Sequence, residues 1–256
     1  MSEAAHRNIT RTIDKLGVDH MWLSPGKDFY ERLYGFLFTQ PTPKEYVKTI
    51  CPQCFAATSL QAIKLAAEKD IPLLAYGFAP GQGRSSIIRV HKFLTITTLL
   101  LIKLHSRRSF KIKLSEEEKR HFDLPLWDMR KVPRIIFPFR ALDYNIREIK
   151  DTVIDLGLIA PGDEHPLSSN CLINLLMIEL DSLRFRYHPY TAEFSSLVRE
   201  WQLDRDEWLA LEEKGIEEIE NRVFERDKID SVVERLELAS FYEEYLGEWT
   251  QKILYD

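Results

Sequence analysis

Cysteine is scarce in this sequence: three residues in 256, at positions 51, 54 and 171. So few, and an odd number, exclude a disulfide framework. They fit a reducing compartment, where grouped cysteines more often bind metal or do chemistry. A long hydrophobic run is missing too. The longest, residues 93–104, follows Lys92 and contains Lys103. It falls short of the roughly 20 apolar residues that cross a bilayer, and its Thr95-Ile96-Thr97-Thr98 centre suits a buried strand or a core helix. Residues 1–11 are polar and mixed in charge, without the apolar region of a secretory signal. The expectation is a cytoplasmic protein with no membrane contact. Nor is there an excess of positive charge. The formal net charge is −5, so nucleic acid is not favoured as a partner. Internal repeats and low-complexity tracts are absent.

What is present suffices for a globular core. Hydrophobic residues make up 45% and charged residues 29%, enough for one domain with appendages or two small ones. Residues 9–16 read as the end of an amphipathic helix, with Gly17 at its C-cap. Residues 18–23 alternate like a short strand. Ser24-Pro25-Gly26 is a turn, and Asp28 stands where it can cap a helix over 29–38. Residues 55–69 carry Ala56, Leu60, Ile63 and Ala67 at helical spacing. Residues 71–76 form a short, nearly all-apolar run, as in a parallel strand covered on both faces. A glycine-rich loop, 77–83, follows. Ser115-Glu116-Glu117-Glu118 marks a helix start, and Ile135-Ile136-Phe137 a strand. Helices are expected over 145–156, ending at Gly157, and over 172–183. Asp204 followed by Glu207 resembles a capping box, and 227–255 reads as a docked helix or helix pair.

Helix, apolar strand and glycine-rich loop in this order predict an α/β fold: an open parallel sheet with helices on both faces. That domain is expected over residues 1–195, with an acidic helical extension over 196–256. In such sheets ligands bind beyond the carboxyl ends of the strands, which places Gly77, Gly81 and Arg84 at a candidate nucleotide site.

The cysteines are the candidates for chemistry. Cys51-Pro52-Gln53-Cys54 puts two sulfurs within reach of one metal, which is half of a tetrahedral site. Cys171 lies where a polar loop meets a helix, as the pair does. Three cysteines with one position open fit a [4Fe–4S] cluster, or a zinc site completed by His165 or Asp163. Two other readings stand beside these: Cys171 as a small buried residue, and Cys51 with Cys54 as a redox pair or as inert thiols.

The run Asn8-Ile9-Thr10 with Lys15-Leu16-Gly17-Val18-Asp19-His20 resembles a segment of the PP-loop ATP pyrophosphatases. The resemblance continues through Cys51-Pro52-Gln53-Cys54, Ile71-Pro72-Leu73-Leu74 and Gly77-Phe78-Ala79-Pro80, and on to Leu197-Val198-Arg199 and Arg205-Asp206-Glu207. It runs loosely over some two-thirds of the chain and is nearest to the N-acetyl sugar amidotransferase branch. The three-cysteine pattern also looks like that of the cluster-dependent tRNA thiolases.

The resemblance implies the nucleotide α-hydrolase-like parallel sheet and ATP-dependent adenylation of an acceptor, here a nucleotide-linked N-acetyl sugar. AMP would then be displaced by ammonia or by sulfur from a donor protein. Within that reading, thiolation of a tRNA or small molecule is the alternative to nitrogen transfer, and a non-catalytic member that needs a partner is the other. The family's S-G-G-x-D-S phosphate loop does not occur in these 256 residues. The look-alike Ser24-Pro25-Gly26-Lys27-Asp28-Phe29 has a proline without an N–H donor and a phenylalanine in place of the last serine. It reads as a turn and helix cap.

Residues 84–113 are locally basic and suit phosphate, an acidic glycan or RNA, or else a solvated face. His188 is expected in a loop hydrogen bond, Arg199 in an ion pair, and Trp201, Trp208 and Trp249 in the core.

Overall fold

The computed structural model describes residues 1–40, 50–78, 112–122, 130–140, 142, 145–163 and 171–255. They divide into two compact units, Leu23–Asp143 and Met1–Trp22 together with Tyr144–Asp256. Of the described residues 64% are helical and 3% are in strands.

This overturns the expected open sheet. Among the described residues there are two strands, β1 (Leu73–Ala75) and β2 (Arg134–Ile136), paired in parallel with Leu74 opposite Ile135. Residues 18–23, expected as a strand, form none. Val18, Met21 and Trp22 are about half exposed, and alternation cannot make a strand without a neighbour to receive its backbone bonds. β1 is not covered on both faces either, since Leu73 and Ala75 are exposed. The apolar run at 93–104 lies outside the described residues.

In the unit Leu23–Asp143, helices α2 (Phe29–Thr39), α3 (Cys51–Glu68) and α4 (Glu116–Phe122) pack with the strand pair. The buried centre is Phe29, Leu33, Ala57, Leu60, Ile63 and Phe122, with Leu74 and Ile135 of the strands against it. Asp28 takes the N-cap position of α2 without a side-chain cap bond. The start of α4 is better secured. Ser115 Oγ accepts from the Glu118 N–H at 3.1 Å, and Glu118 accepts from the Ser115 N–H at 2.7 Å. That is a reciprocal capping box.

Glu118 also takes an ion pair from Arg32 of α2. Burial pushes its carboxyl up, but the Ser115 N–H and the Arg32 guanidinium outweigh burial and hold it below its ordinary value of 4.5. A carboxylate with a depressed folded pKa adds stability above its unfolded pKa and loses it as pH falls through the folded one. Glu118→Gln is therefore expected to cost about 1–3 kcal/mol at pH 7, and the gap from wild type should close as pH falls below about 4. Hydrogen exchange in α2 and α4 across that range checks it. A gap that stays constant with pH would contradict the assignment.

The other unit contains α1 (Glu3–Leu16), α5 (Ile146–Asp155), α6 (Leu172–Phe185), α7 (Thr191–Arg199), α8 (Arg205–Glu220), α9 (Arg226–Arg235) and α10 (Ala239–Tyr255). Local signals set their ends. Gly17 closes α1 at φ +60, its N–H bonded to Ile13 O at 2.9 Å. Asn145 caps α5, accepting from the N–H groups of Arg147 and Glu148. Asp204 caps α8 through Asp206 and Glu207.

α6 is the central helix here, with Leu175 to Leu183 buried without a break. Glu179 lies in that buried run at 1% exposure. It accepts from Arg226 of α9 at 3.0 Å and from the Tyr242 hydroxyl of α10 at 2.7 Å. Trp208 is buried as expected, stacked on Phe194 at 3.8 Å. Trp201 is not. It sits past the end of α7 at φ +58 and is 93% exposed. The Trp249 side chain lies outside the described residues.

Candidate functional site

The sequence of α3 begins with the cysteine pair. Cys51 is its first residue, and Pro52 fits the first turn because the N–H it lacks has no partner there in any case. Cys54 lies one turn on, three residues along. Ile50, at the N-cap, makes no side-chain cap bond. The Ile50 carbonyl instead closes the turn, accepting from the N–H groups of Gln53 at 3.1 Å and Cys54 at 3.0 Å.

α3 runs back along β1, so its first turns come beside the carboxyl end of that strand. The Phe55 ring lies 5.6 Å from Tyr76 and 5.2 Å from Phe78, edge to face in both cases. Tyr76 stacks in turn on Phe137, just beyond β2, at 5.7 Å. Four aromatic rings therefore wall the carboxyl end of the strand pair. Gly77 stands among them, exposed, with no atom within 4 Å of where a β-carbon would be. The backbone there is open to close approach.

Two polar groups on this wall are buried side by side: the Tyr76 hydroxyl and the Ser59 hydroxyl. Burial raises the Tyr76 pKa, against a smaller lowering by Ser59.

The opposite flank of α3 faces α2. The Tyr34 hydroxyl lies 3.1 Å from Cys54 Sγ, and the Tyr30 hydroxyl donates to Gln61 Oε1 at 3.2 Å. Tyr30 is pushed up to about 12, mostly by burial and then by the charge of Cys54. This hydroxyl stays protonated at neutral pH.

Of the residues expected at the site, Cys51, Cys54 and Gly77 share one locus in one unit. Gly81 and Arg84, with nearly all of the basic stretch, lie outside the described residues. Cys171 is the N-cap of α6 in the other unit, exposed. Of the zinc-completing candidates, Asp163 accepts from Asn8 Nδ2 at 2.8 Å, and His165 lies outside the described residues. Among the described residues no three His, Cys, Asp or Glu side chains form a group that could hold a metal ion. The α3 turn by itself offers two sulfurs, half of a tetrahedral donor set.

His188 makes the loop hydrogen bond expected of it, its Nδ1 accepting from the Tyr190 N–H at 3.2 Å. Tyr30, Tyr34, Phe55, Tyr76 and Phe137 were not singled out in the sequence as site residues. A signal for two of them existed: Tyr30 and Tyr34 are four apart, on one helix face. Among the described residues no helix is long and apolar enough to cross a membrane.

No protein-family model matches this sequence, and no curated protein or solved structure matches it either.

Proposed function

We propose that this chain serves ATP-pyrophosphatase-type group transfer, with the carboxyl end of β1 as the place where a nucleotide or nucleotide-linked sugar docks. The observation that carries the reading is the meeting of the Cys51–Cys54 turn with exposed Gly77 inside one aromatic wall. The same segments carry the likeness to the amidotransferases. Planar rings stack on aromatic faces, and an open glycine lets a phosphate or sugar approach the backbone. Adenylation of an acceptor followed by nitrogen transfer is the reaction in this reading. Cys51 and Cys54 are the sulfur donors offered to zinc or an iron–sulfur cluster in this reading.

The 256 residues hold no S-G-G-x-D-S loop. Nucleotidyl chemistry depends on donors fixed around the phosphates, and removing one such donor commonly costs about 10²–10³ in rate. The chain alone is therefore expected to bind nucleotide without releasing pyrophosphate.

Gly77→Val tests the site. A β-carbon there meets nothing, so the substitution leaves the fold intact while filling the approach to the backbone. ATP affinity measured by calorimetry should fall roughly tenfold or more, equivalent to about 1.4 kcal/mol. Equal affinity in variant and wild type would overturn the docking site. Pyrophosphate release by the wild-type chain would overturn the expectation of binding without turnover.

A further inference from the structure

We propose that Cys51 and Cys54 form a reversible disulfide within the first turn of α3, so that this turn is a thiol–disulfide couple exchanging with small disulfides such as oxidised glutathione. Three observations carry it. First, the two residues are three apart in one helical turn. Helix geometry sets their α-carbons about 5 Å apart, inside the window of roughly 4.4–6.8 Å that a disulfide spans. Second, the turn can adjust to bring the sulfurs together, because Ile50 contributes no side-chain cap that would be broken. Third, the helix packed alongside places a polar group at one of the sulfurs. The Tyr34 hydroxyl lies 3.1 Å from Cys54 Sγ. Both cysteines are partly exposed, so a small disulfide can reach them.

The exchange balances as follows. One cysteine thiolate attacks a sulfur of glutathione disulfide and expels one glutathione thiolate, leaving a mixed disulfide. The second cysteine thiolate attacks the protein-side sulfur and expels the other glutathione. Two protein thiols are oxidised by two electrons, one glutathione disulfide is reduced to two thiols, and the two protons end on the released glutathiones. The disulfide and metal ligation exclude each other, since a metal needs both sulfurs as thiolates. The couple itself does not rest on the proposed function, because it requires neither metal nor nucleotide.

The test uses the full chain with chelator present, equilibrated over ratios of reduced to oxidised glutathione, then alkylated and weighed. Wild type and Cys171→Ser should both lose two hydrogens under oxidising ratios and regain them under reducing ones. Cys51→Ser and Cys54→Ser should instead carry a glutathione adduct. Tyr34→Phe removes the hydroxyl hydrogen-bonded to Cys54 Sγ and so weakens the reduced form. Its half-oxidation point should move toward reducing conditions by roughly tenfold in the glutathione ratio, the worth of about one hydrogen bond. Alkylation of both cysteines in wild type at every ratio would overturn the proposal. So would a bridge that disappears in Cys171→Ser. Metal content of the reduced protein, measured without chelator, reports on the metal reading separately.

Discussion

Glu179→Ala is expected to destabilise the unit built on α6 by about 3–5 kcal/mol, the typical cost of removing one partner from a buried ion pair. Glu179 is 1% exposed and faces a guanidinium and a phenol from two other helices. Its removal leaves Arg226, three-quarters buried, with a charge turned toward an apolar interior. Arg226 keeps a bond to Asp230 at 2.9 Å and lies 5.4 Å over the Tyr242 ring, so some of its stabilisation survives. The Tyr242 hydroxyl loses its acceptor altogether in this site. Its pKa is raised, first by burial and then by Glu179, which keeps it a neutral donor across the accessible pH range. Hydrogen exchange in α6, α9 and α10 should show the loss in all three helices at once, because the carboxylate is their common bond. A cost below about 1 kcal/mol, the level of an exposed pair, would contradict the burial assigned to it.

Phe29→Ala is expected to cost the other unit about 3–5 kcal/mol through lost burial and the cavity left behind. Phe29 is fully buried, packed at 5.1 Å on Phe122 of α4. It begins α2, the helix that carries Tyr30 and Tyr34. Loosening α2 frees Tyr34 from Cys54, so the two effects are linked. Denaturation of this unit should begin at lower denaturant, and alkylation of Cys54 should respond to the same substitution. Leu33→Ala, one turn along in the same core, should behave alike. A Phe29 variant with lost stability and unchanged Cys54 reactivity would show that α2 does not set the environment of the thiol.

The helices could be read from sequence because their signals are local. Gly17, Asn145 and Asp204 each mark a helix end through bonds that span at most four residues. Leu172 to Leu183 were apolar enough to require burial, and α6 became the centre of its unit. Of the expected strands, 71–76 and 135–137 each overlap one and 18–23 does not. An apolar or alternating run becomes a strand only when a partner is supplied from elsewhere in the chain. Residues 73–75 found one in 134–136, and residues 18–23 did not. Trp201 was misread for a related reason. Its left-handed backbone turns it away from α7, and no periodicity reports such a conformation.

The site divides along the same line. The cysteine pair and Gly77 are visible as motifs, since their chemistry is carried by residue type and spacing. That they share one locus depends on α3 running back along β1. That Tyr34 reaches Cys54 depends on how two helices pack. Neither follows from spacing.

The most direct measurement is an ATP titration of isotope-labelled protein, read by backbone amide shifts. If the α3 turn and the end of β1 are one docking site, the shifts should concentrate at residues 51–55 and 76–78 and vanish in Gly77→Val. Shifts confined to other parts of the chain, or unchanged by that substitution, would contradict the site.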